Sequence, residues 1–165
     1  KHPLEILLVD QDEDALRSCI TELNRVISKR GDNPPVIFHG LHFSLRQILA
    51  PKKGGEQQLV NDVLSKVDLI YSMGLFDYLQ QPLARRTTSR LFDLLAPEGR
   101  LLIGNLCRVP ESTWMMEYGV AWHLVYRKED EMFDLGHGIE KSACSFQVLK
   151  DRTGNCLFAD ARRIN

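Results

Sequence analysis

The sequence predicts an α/β fold, a mostly parallel sheet with helices on both faces and an antiparallel hairpin at the C-terminal edge. Three observations carry that expectation. Short apolar runs at Leu4 to Val9, Val67 to Ser72 and Arg100 to Gly104 read as strands buried on both faces. Helical periodicity separates them, over 12–31 and 82–95. Two strand-like runs near the end, Ser145 to Lys150 and Cys156 to Arg162, flank the turn Asp151-Arg152-Thr153-Gly154-Asn155. With 165 residues, 44% of them hydrophobic, the chain has material for one ordinary core, so a single domain over 1–165 is expected.

Taken in order, the first strand ends on Asp10. Asp12 then caps a helix whose first turn carries Glu13 and Asp14 and whose inward stripe is Ala15, Leu16, Cys19, Ile20, Leu23, Val26 and Ile27. Lys29, Arg30 and Gly31 close it, and Asn33-Pro34-Pro35 resets the chain. Val36 to Phe38 is a brief strand that His39-Gly40 ends, and Ser44 to Ala50 suits a short helix. Pro51 to Gln58, rich in lysine and glycine, reads as a surface loop and not as a domain boundary.

After the strand at Val67 to Ser72, Pro82 opens a helix with Leu83, Leu91, Leu94 and Leu95 inward, and Ala96-Pro97-Glu98-Gly99 turns the chain into the strand that ends at Asn105. Ser112 is read as the cap of an aromatic-rich helix running to about Trp122, and Lys128 to Leu135 as a further short helix before Gly136-His137-Gly138.

Composition excludes several function classes. The formal net charge is -1 and no Lys/Arg block exceeds a pair, so a nucleic-acid partner is not expected. Cys19, Cys107, Cys144 and Cys156 are scattered without a C-x-x-C spacing, which suits neither a zinc site nor a disulfide framework; no metal is expected, and a reducing cytoplasm is. No apolar stretch approaches the ~18 residues of a membrane span, and the first residues lack the sections of a signal peptide. The chain opens at Lys1-His2-Pro3 without a methionine and reads as a fragment or a processed product.

The acid that ends the first strand, within Ile6-Leu7-Leu8-Val9-Asp10-Gln11-Asp12-Glu13-Asp14, suits three α/β machines. A response-regulator receiver needs a phosphate-accepting Asp at a later strand end. Here those ends are His39, Ser72 and Asn105, while Asp68 begins its strand. In a dinucleotide dehydrogenase or a methyltransferase the acid accepts hydrogen bonds from ribose hydroxyls. Asp10 fits either of these two, and it also fits a plain strand end or helix cap.

The later strands separate the two enzymes. Val67-Asp68-Leu69-Ile70-Tyr71-Ser72-Met73-Gly74-Leu75-Phe76-Asp77-Tyr78-Leu79, followed by Leu91-Phe92-Asp93-Leu94-Leu95-Ala96-Pro97-Glu98-Gly99-Arg100-Leu101-Leu102-Ile103, resembles the fourth- and fifth-strand motifs of class I, Rossmann-like S-adenosylmethionine-dependent methyltransferases. Glu98 stands where that family's turn has a first glycine, a change tolerated if Gly99 alone takes the positive φ angle. A narrower resemblance, carried by Gly74-Leu75-Phe76-Asp77-Tyr78-Leu79, Ile103-Gly104-Asn105, Met116-Glu117-Tyr118 and Trp122-His123-Leu124-Val125-Tyr126-Arg127, is to bacterial methyltransferases that make a 3-hydroxy fatty acid methyl ester signal. Ala121 departs from the acid of that subgroup.

The resemblance implies S-adenosylmethionine as cofactor, with Asp10 and Gln11 at its ribose, His39 and Gly40 by its adenine, and Ser72, Met73 and Gly74 along its amino-acid end. It implies a small, fatty acyl acceptor walled by Phe76, Asp77, Tyr78, Trp114, Tyr118, Trp122, His123 and Tyr126. At helical spacing these aromatic residues also suit ordinary core, His123 suits a hydrogen-bonded core histidine, and Arg127 suits a solvated arginine. No Ser-His-acid arrangement stands out, as a proximity-driven carboxyl methyltransferase predicts. In the family arrangement the first strand and its glycine-rich cofactor turn lie upstream of Leu4. Its place is between the strands at Leu4 to Val9 and Val67 to Ser72, so both are expected to lose a neighbour, to be made good by a homodimer or by the protein's own N-terminal region. The other function class is a non-catalytic methyltransferase-like binding or dimerisation module.

Overall fold

The computed structural model describes residues 4–29, 36–109 and 113–164. Arg30, Gly31, the Asn33-Pro34-Pro35 reset and Ser112 lie outside the described residues. The chain divides into two compact units, 1–56 and 57–165, the division falling inside the stretch read as a surface loop.

The first unit is a strand-helix-strand piece. β1 (Leu4–Asp10) and β2 (Val36–His42) pair in parallel with Asp10 opposite His42, and α1 (Glu13–Lys29) connects them. Asp12 caps α1 as its sequence predicts, its Oδ1 accepting the Ala15 N–H at 3.0 Å. Leu16 is buried and Ile20, Leu23 and Ile27 are half-buried, whereas Ala15, Cys19 and Val26 are exposed, so the inward stripe is narrower than the periodicity predicts. β2 continues through His39-Gly40, because the parallel ladder holds the backbone extended as far as His42. α2 (Leu45–Leu49) has a capping box between Ser44 and Gln47.

α3 (Gly55–Val63) occupies part of the predicted loop: only 51–54 is irregular, and Val60 and Leu64 are buried one turn apart. Gly54 lets the chain turn at φ +100, and Glu56 in the first turn accepts the Lys52 N–H at 2.8 Å.

The second unit carries a four-stranded sheet ordered β3-β4-β6-β5. β3 (Val67–Met73) and β4 (Leu95–Leu106) are parallel, and β5 (Cys144–Lys150) and β6 (Cys156–Arg163) form the predicted hairpin. β6 inserts beside β4, leaving β5 at the edge. Arg100 grips Asp160 through Nε and Nη2 at 2.7 and 2.9 Å, and Gln147 donates to the same carboxylate at 2.8 Å, tying three strands together.

α4 (Gln81–Asp93) turns Ala84, Thr87, Thr88, Leu91 and Phe92 inward. Leu83, predicted to face inward, is exposed, because the buried face follows the small residue Ala84 and the two threonines. Their hydroxyls donate to the carbonyls of Leu83 and Ala84 at 2.8 and 2.9 Å, which lets them be buried. At the mouth of β4 it is Glu98, not Gly99, that takes the left-handed conformation, at φ +61. Gly99 serves a different need. A Cβ there would lie 2.8 Å from the Ala96 carbonyl oxygen and 3.0 Å from that of Val67.

The predicted helix up to Trp122 is a single π-type turn, Met115–Gly119, after which Ala121 takes φ +54 and the chain runs irregularly to α5 (Glu129–Asp134). Among the described residues β1 pairs with β2 alone and β3 with β4 alone, so each keeps one edge without a ladder. The exposure of Leu69, Tyr71 and Met73 along one face of β3 (60%, 58% and 48%) is unusual for a strand so apolar. No helix among the described residues is long and apolar enough to cross a membrane.

Candidate functional site

In the second unit, the carboxyl ends of β3 and β4 feed two segments that lock together. β3 runs into Gly74 at φ +89, where a Cβ would meet nothing within 4 Å, and then into the one-turn 3-10 helix Phe76–Tyr78. β4 runs through Cys107 and Arg108 toward the π-type turn and the irregular return 122–127. Ser72 is half-buried and Met73 exposed, and the Met73 sulfur occupies the space a Cβ on Gly104 would need, at 2.2 Å. Gly104 is thus small because the methionine side chain lies across it.

The lock is polar and buried. Asp77, 4% exposed, accepts the Leu106 N–H on Oδ1 at 2.7 Å, and its carbonyl accepts the Val125 N–H at 2.7 Å. Asn105 donates from Nδ2 to the Val125 carbonyl at 2.9 Å. Arg127, 2% exposed, donates to the Phe76 carbonyl at 2.7 Å, to Gln81 Oε1 at 2.9 Å, to the Leu79 carbonyl and to Asn105 Oδ1. Gln81 in turn donates to the Glu131 carbonyl and to Asp134 Oδ2, at 2.8 and 2.7 Å. Burial pushes the Asp77 carboxyl above the usual carboxylate range, opposed by the Leu106 N–H and by Arg127, while burial lowers the Arg127 guanidinium from its ordinary value.

The expectation of a solvated Arg127 is therefore overturned. Each of its three nitrogens donates to a carbonyl or amide oxygen, which offsets the cost of burying the charge. Phe76 and Asp77, read as acceptor walls, are turned inward: Phe76 is fully buried and Asp77 is spent on the backbone of Leu106.

The other predicted wall residues divide. Tyr78, Trp114, Tyr118 and Trp122 present their rings to solvent, contrary to ordinary core, and the aliphatic side chains of Met115 and Val120 are exposed as well. Trp122 donates from Nε1 to the Tyr78 hydroxyl at 2.8 Å, and the Trp114 and Tyr118 rings lie 6.3 Å apart. His123 is exposed, not a buried core histidine. Tyr126 is half-buried under the Arg108 guanidinium, 5.6 Å from its ring centroid, and its hydroxyl is buried with no hydrogen-bond partner. An unmet buried hydroxyl costs about 1 to 3 kcal/mol, so this group is ready for a polar partner.

In the first unit, Asp10 ends β1 with an exposed carboxylate whose Oδ1 accepts the Asp12 N–H at 3.0 Å. Gln11 follows, its carbonyl accepting from His42 Nε2 at 2.8 Å. His39 and Gly40 do not end β2. His39 stands opposite Leu7 with its ring 3.9 Å from Glu5, and Gly40 lies against Ile20, 2.7 Å from where its Cβ would be. The histidine level with Asp10 is His42, which the sequence reading missed because Gly40 looked like a strand terminator.

No family model and no curated protein sequence matches the chain. Solved structures do. A possible exported protein from Bordetella parapertussis superposes with a TM-score of 0.67 at 16% identity, over 98% of this chain and 54% of that one. Magnesium protoporphyrin IX methyltransferase from Synechocystis, with bound S-adenosylhomocysteine, gives 0.60 at 13% identity, over 95% of this chain and 63% of that one. An N-methyltransferase from Bradyrhizobium japonicum, also holding S-adenosylhomocysteine, gives 0.57 at 16% identity, over 98% and 67%. At these identities the likeness is one of fold: the chain has the Rossmann-like α/β fold of S-adenosylmethionine-dependent methyltransferases. It spans between about half and two thirds of these neighbours' length.

Proposed function

We propose that the protein transfers a methyl group from S-adenosylmethionine to a small acceptor with an apolar tail, the carboxylate of a hydroxy fatty acid being the acceptor class that the sequence resemblance implies. The observation that carries the proposal is the arrangement of the second unit. Its β3-β4-β6-β5 sheet, parallel at one side and closed by an antiparallel hairpin, delivers an aromatic surface from the carboxyl ends of β3 and β4, where open α/β sheets bind their ligands. The fold neighbours that hold S-adenosylhomocysteine support the choice of cofactor.

Each unit taken by itself offers groups whose chemistry supports such a cofactor. In the first unit, Asp10 keeps Oδ2 and the remaining lone pairs of Oδ1 for ribose hydroxyls, with Gln11 beside it. The adenine role read for His39 and Gly40 rests on the resemblance alone, since both lie inside β2. In the second unit, the open space at Gly74 lets backbone approach a ligand closely, and Ser72 and Met73 flank it. When bound, the sulfonium supplies the methyl group, whose bond to sulfur breaks as the bond to the acceptor oxygen forms. A carboxylate acceptor is already the nucleophile and needs no base from the protein. The contribution of the chain is orientation and exclusion of water. Tyr78, Trp114, Tyr118 and Trp122 supply apolar area for the tail, with His123 beside them, and the unpartnered Tyr126 hydroxyl supplies a donor for the acceptor's oxygen.

For partners, we propose that the open edges of β1 and β3 take a strand from polypeptide outside residues 1–165 or from a second copy, since unpaired edges invite strand addition. The cytoplasm remains the proposed compartment. The test is calorimetric titration of S-adenosylhomocysteine into the intact gene product, followed by methyl transfer to carboxylic acids of increasing chain length. Micromolar binding and turnover that improves with chain length support the proposal. Absence of binding rejects it in favour of a non-catalytic module, the reading that the exposed aromatic surface and open edges would then serve.

A further inference from the structure

The guanidinium of Arg127 is sealed from any ligand, yet its bonds are placed where they govern the surface a ligand would meet. It grips the carbonyls of Phe76 and Leu79, the residues on the two sides of the Tyr78 stretch, and through Asn105 it holds the end of β4. The same cluster pins the 122–127 return, because the Val125 N–H bonds the Asp77 carbonyl three residues after Trp122. Between these anchors, on the exposed surface, Trp122 Nε1 donates to the Tyr78 hydroxyl at 2.8 Å. We propose that Arg127 is a positioning residue for the acceptor side of the site: it fixes the Phe76–Leu79 turn and the 122–127 return relative to each other, and so presents Tyr78 and Trp122 as one rigid aromatic wall.

The chemistry of the side chain suits this role. A planar fork with five donors reaches oxygens on three segments at once, which a lysine ammonium, a single point on a flexible stem, does not. A purely apolar replacement would leave the Leu79 carbonyl and Asn105 Oδ1 without this donor, and the Phe76 carbonyl with the Leu79 N–H in place of two donors, and so free the turn. The inference rests on the proposed acceptor site for its catalytic consequence but not for its structural one.

The experiment reads both. In the intact gene product the indole N–H signals of Trp114 and Trp122 are assigned by their loss in Trp114→Phe and Trp122→Phe, and their shift and hydrogen exchange are followed in Arg127→Met and Arg127→Lys. The expected result is that Arg127→Met moves the Trp122 signal toward that of a free indole and speeds its exchange, with Arg127→Lys intermediate. The acceptor KM should rise about tenfold with cofactor affinity unchanged, the signature of lost acceptor positioning. If Arg127→Met does not fold, Arg127→Lys and Tyr78→Phe, which cuts the visible link directly, decide by the same signal. A Trp122 signal unmoved in a folded Arg127 variant whose melting temperature has fallen would overturn the proposal and leave Arg127 as plain structural support. Should no acceptor be turned over, the indole signal alone still decides the positioning, while the proposed activity fails separately.

Discussion

The entrance to β4 allows a prediction to be worked from distances. At Gly99 a Cβ would meet the Ala96 carbonyl oxygen at 2.8 Å, the Val67 carbonyl oxygen at 3.0 Å and the Leu95 Cβ at 3.1 Å. None of these is the far end of a flexible side chain, so Gly99→Ala must displace backbone, at a cost of about 1 to 3 kcal/mol. Glu98 bears the opposite defect. Its φ of +61 puts a Cβ into the left-handed region, worth about 1 to 2 kcal/mol of strain, of which a glycine would return roughly 0.5 to 1 through its looser unfolded chain. Glu98→Gly should therefore stabilise the second unit by up to about 1 kcal/mol. For a unit of this size each kcal/mol moves the melting temperature by roughly 4 to 8 °C. Thermal and urea melts of the two variants are expected to shift in opposite directions. A Gly99→Ala protein as stable as the parent, or a Glu98→Gly protein less stable, would refute the assignment of strain to position 98 and crowding to position 99.

Asp10→Ala should weaken cofactor binding by about 1.5 to 3 kcal/mol in calorimetry with little change in folding, and unchanged affinity would remove Asp10 from the site. Trp114→Ala or Tyr118→Ala should raise the acceptor KM more for long-chain than for short-chain acids; equal losses would point to general damage. Because burial raises the Asp77 carboxyl, the protonated form favours the fold. The benefit is full below the unfolded carboxylate pKa and is lost as pH rises through the folded one, so Asp77→Asn should gain stability relative to the parent between acid and neutral pH, as read by melts at each pH. Because β1 and β3 each keep an open edge, the chain is expected to self-associate in sedimentation. A monomer at high protein concentration would show that the open edges of β1 and β3 need no partner.

What the sequence made legible was whatever depends on local pattern. The runs Leu4 to Val9 and Val67 to Ser72, the Asp12 cap and the Asp151-to-Asn155 turn between β5 and β6 all follow from spacing and turn chemistry. The misreadings share a cause, a residue whose local preference yielded to its neighbours. Gly40 looked like a stop but is carried along by the ladder to β1, and Gly54-Gly55 hid a helix that buries Val60, with Leu64 buried just past its end. The charge of Arg127 argued for solvent until the oxygens of four other residues were brought around it. Trp114 and Tyr118 erred the other way: aromatic residues at helical spacing suggested packing that the π-type turn does not provide.

The insertion of β6 between β4 and β5 bears on how the protein is made. The strand that fills the interior of this sheet follows both of its neighbours in the chain, with Leu157, Ala159 and Ala161 almost completely buried. Until residues 156–163 have emerged, β4 has only β3 beside it and β5 has no ladder at all. Closure of the second unit is therefore deferred until β6 has been made, and its two nascent halves are held open by sequence order. A polypeptide ended before Cys156 would lose a keystone and not a tail, and would be expected to turn up among aggregates or degradation products, not as a shortened but folded protein.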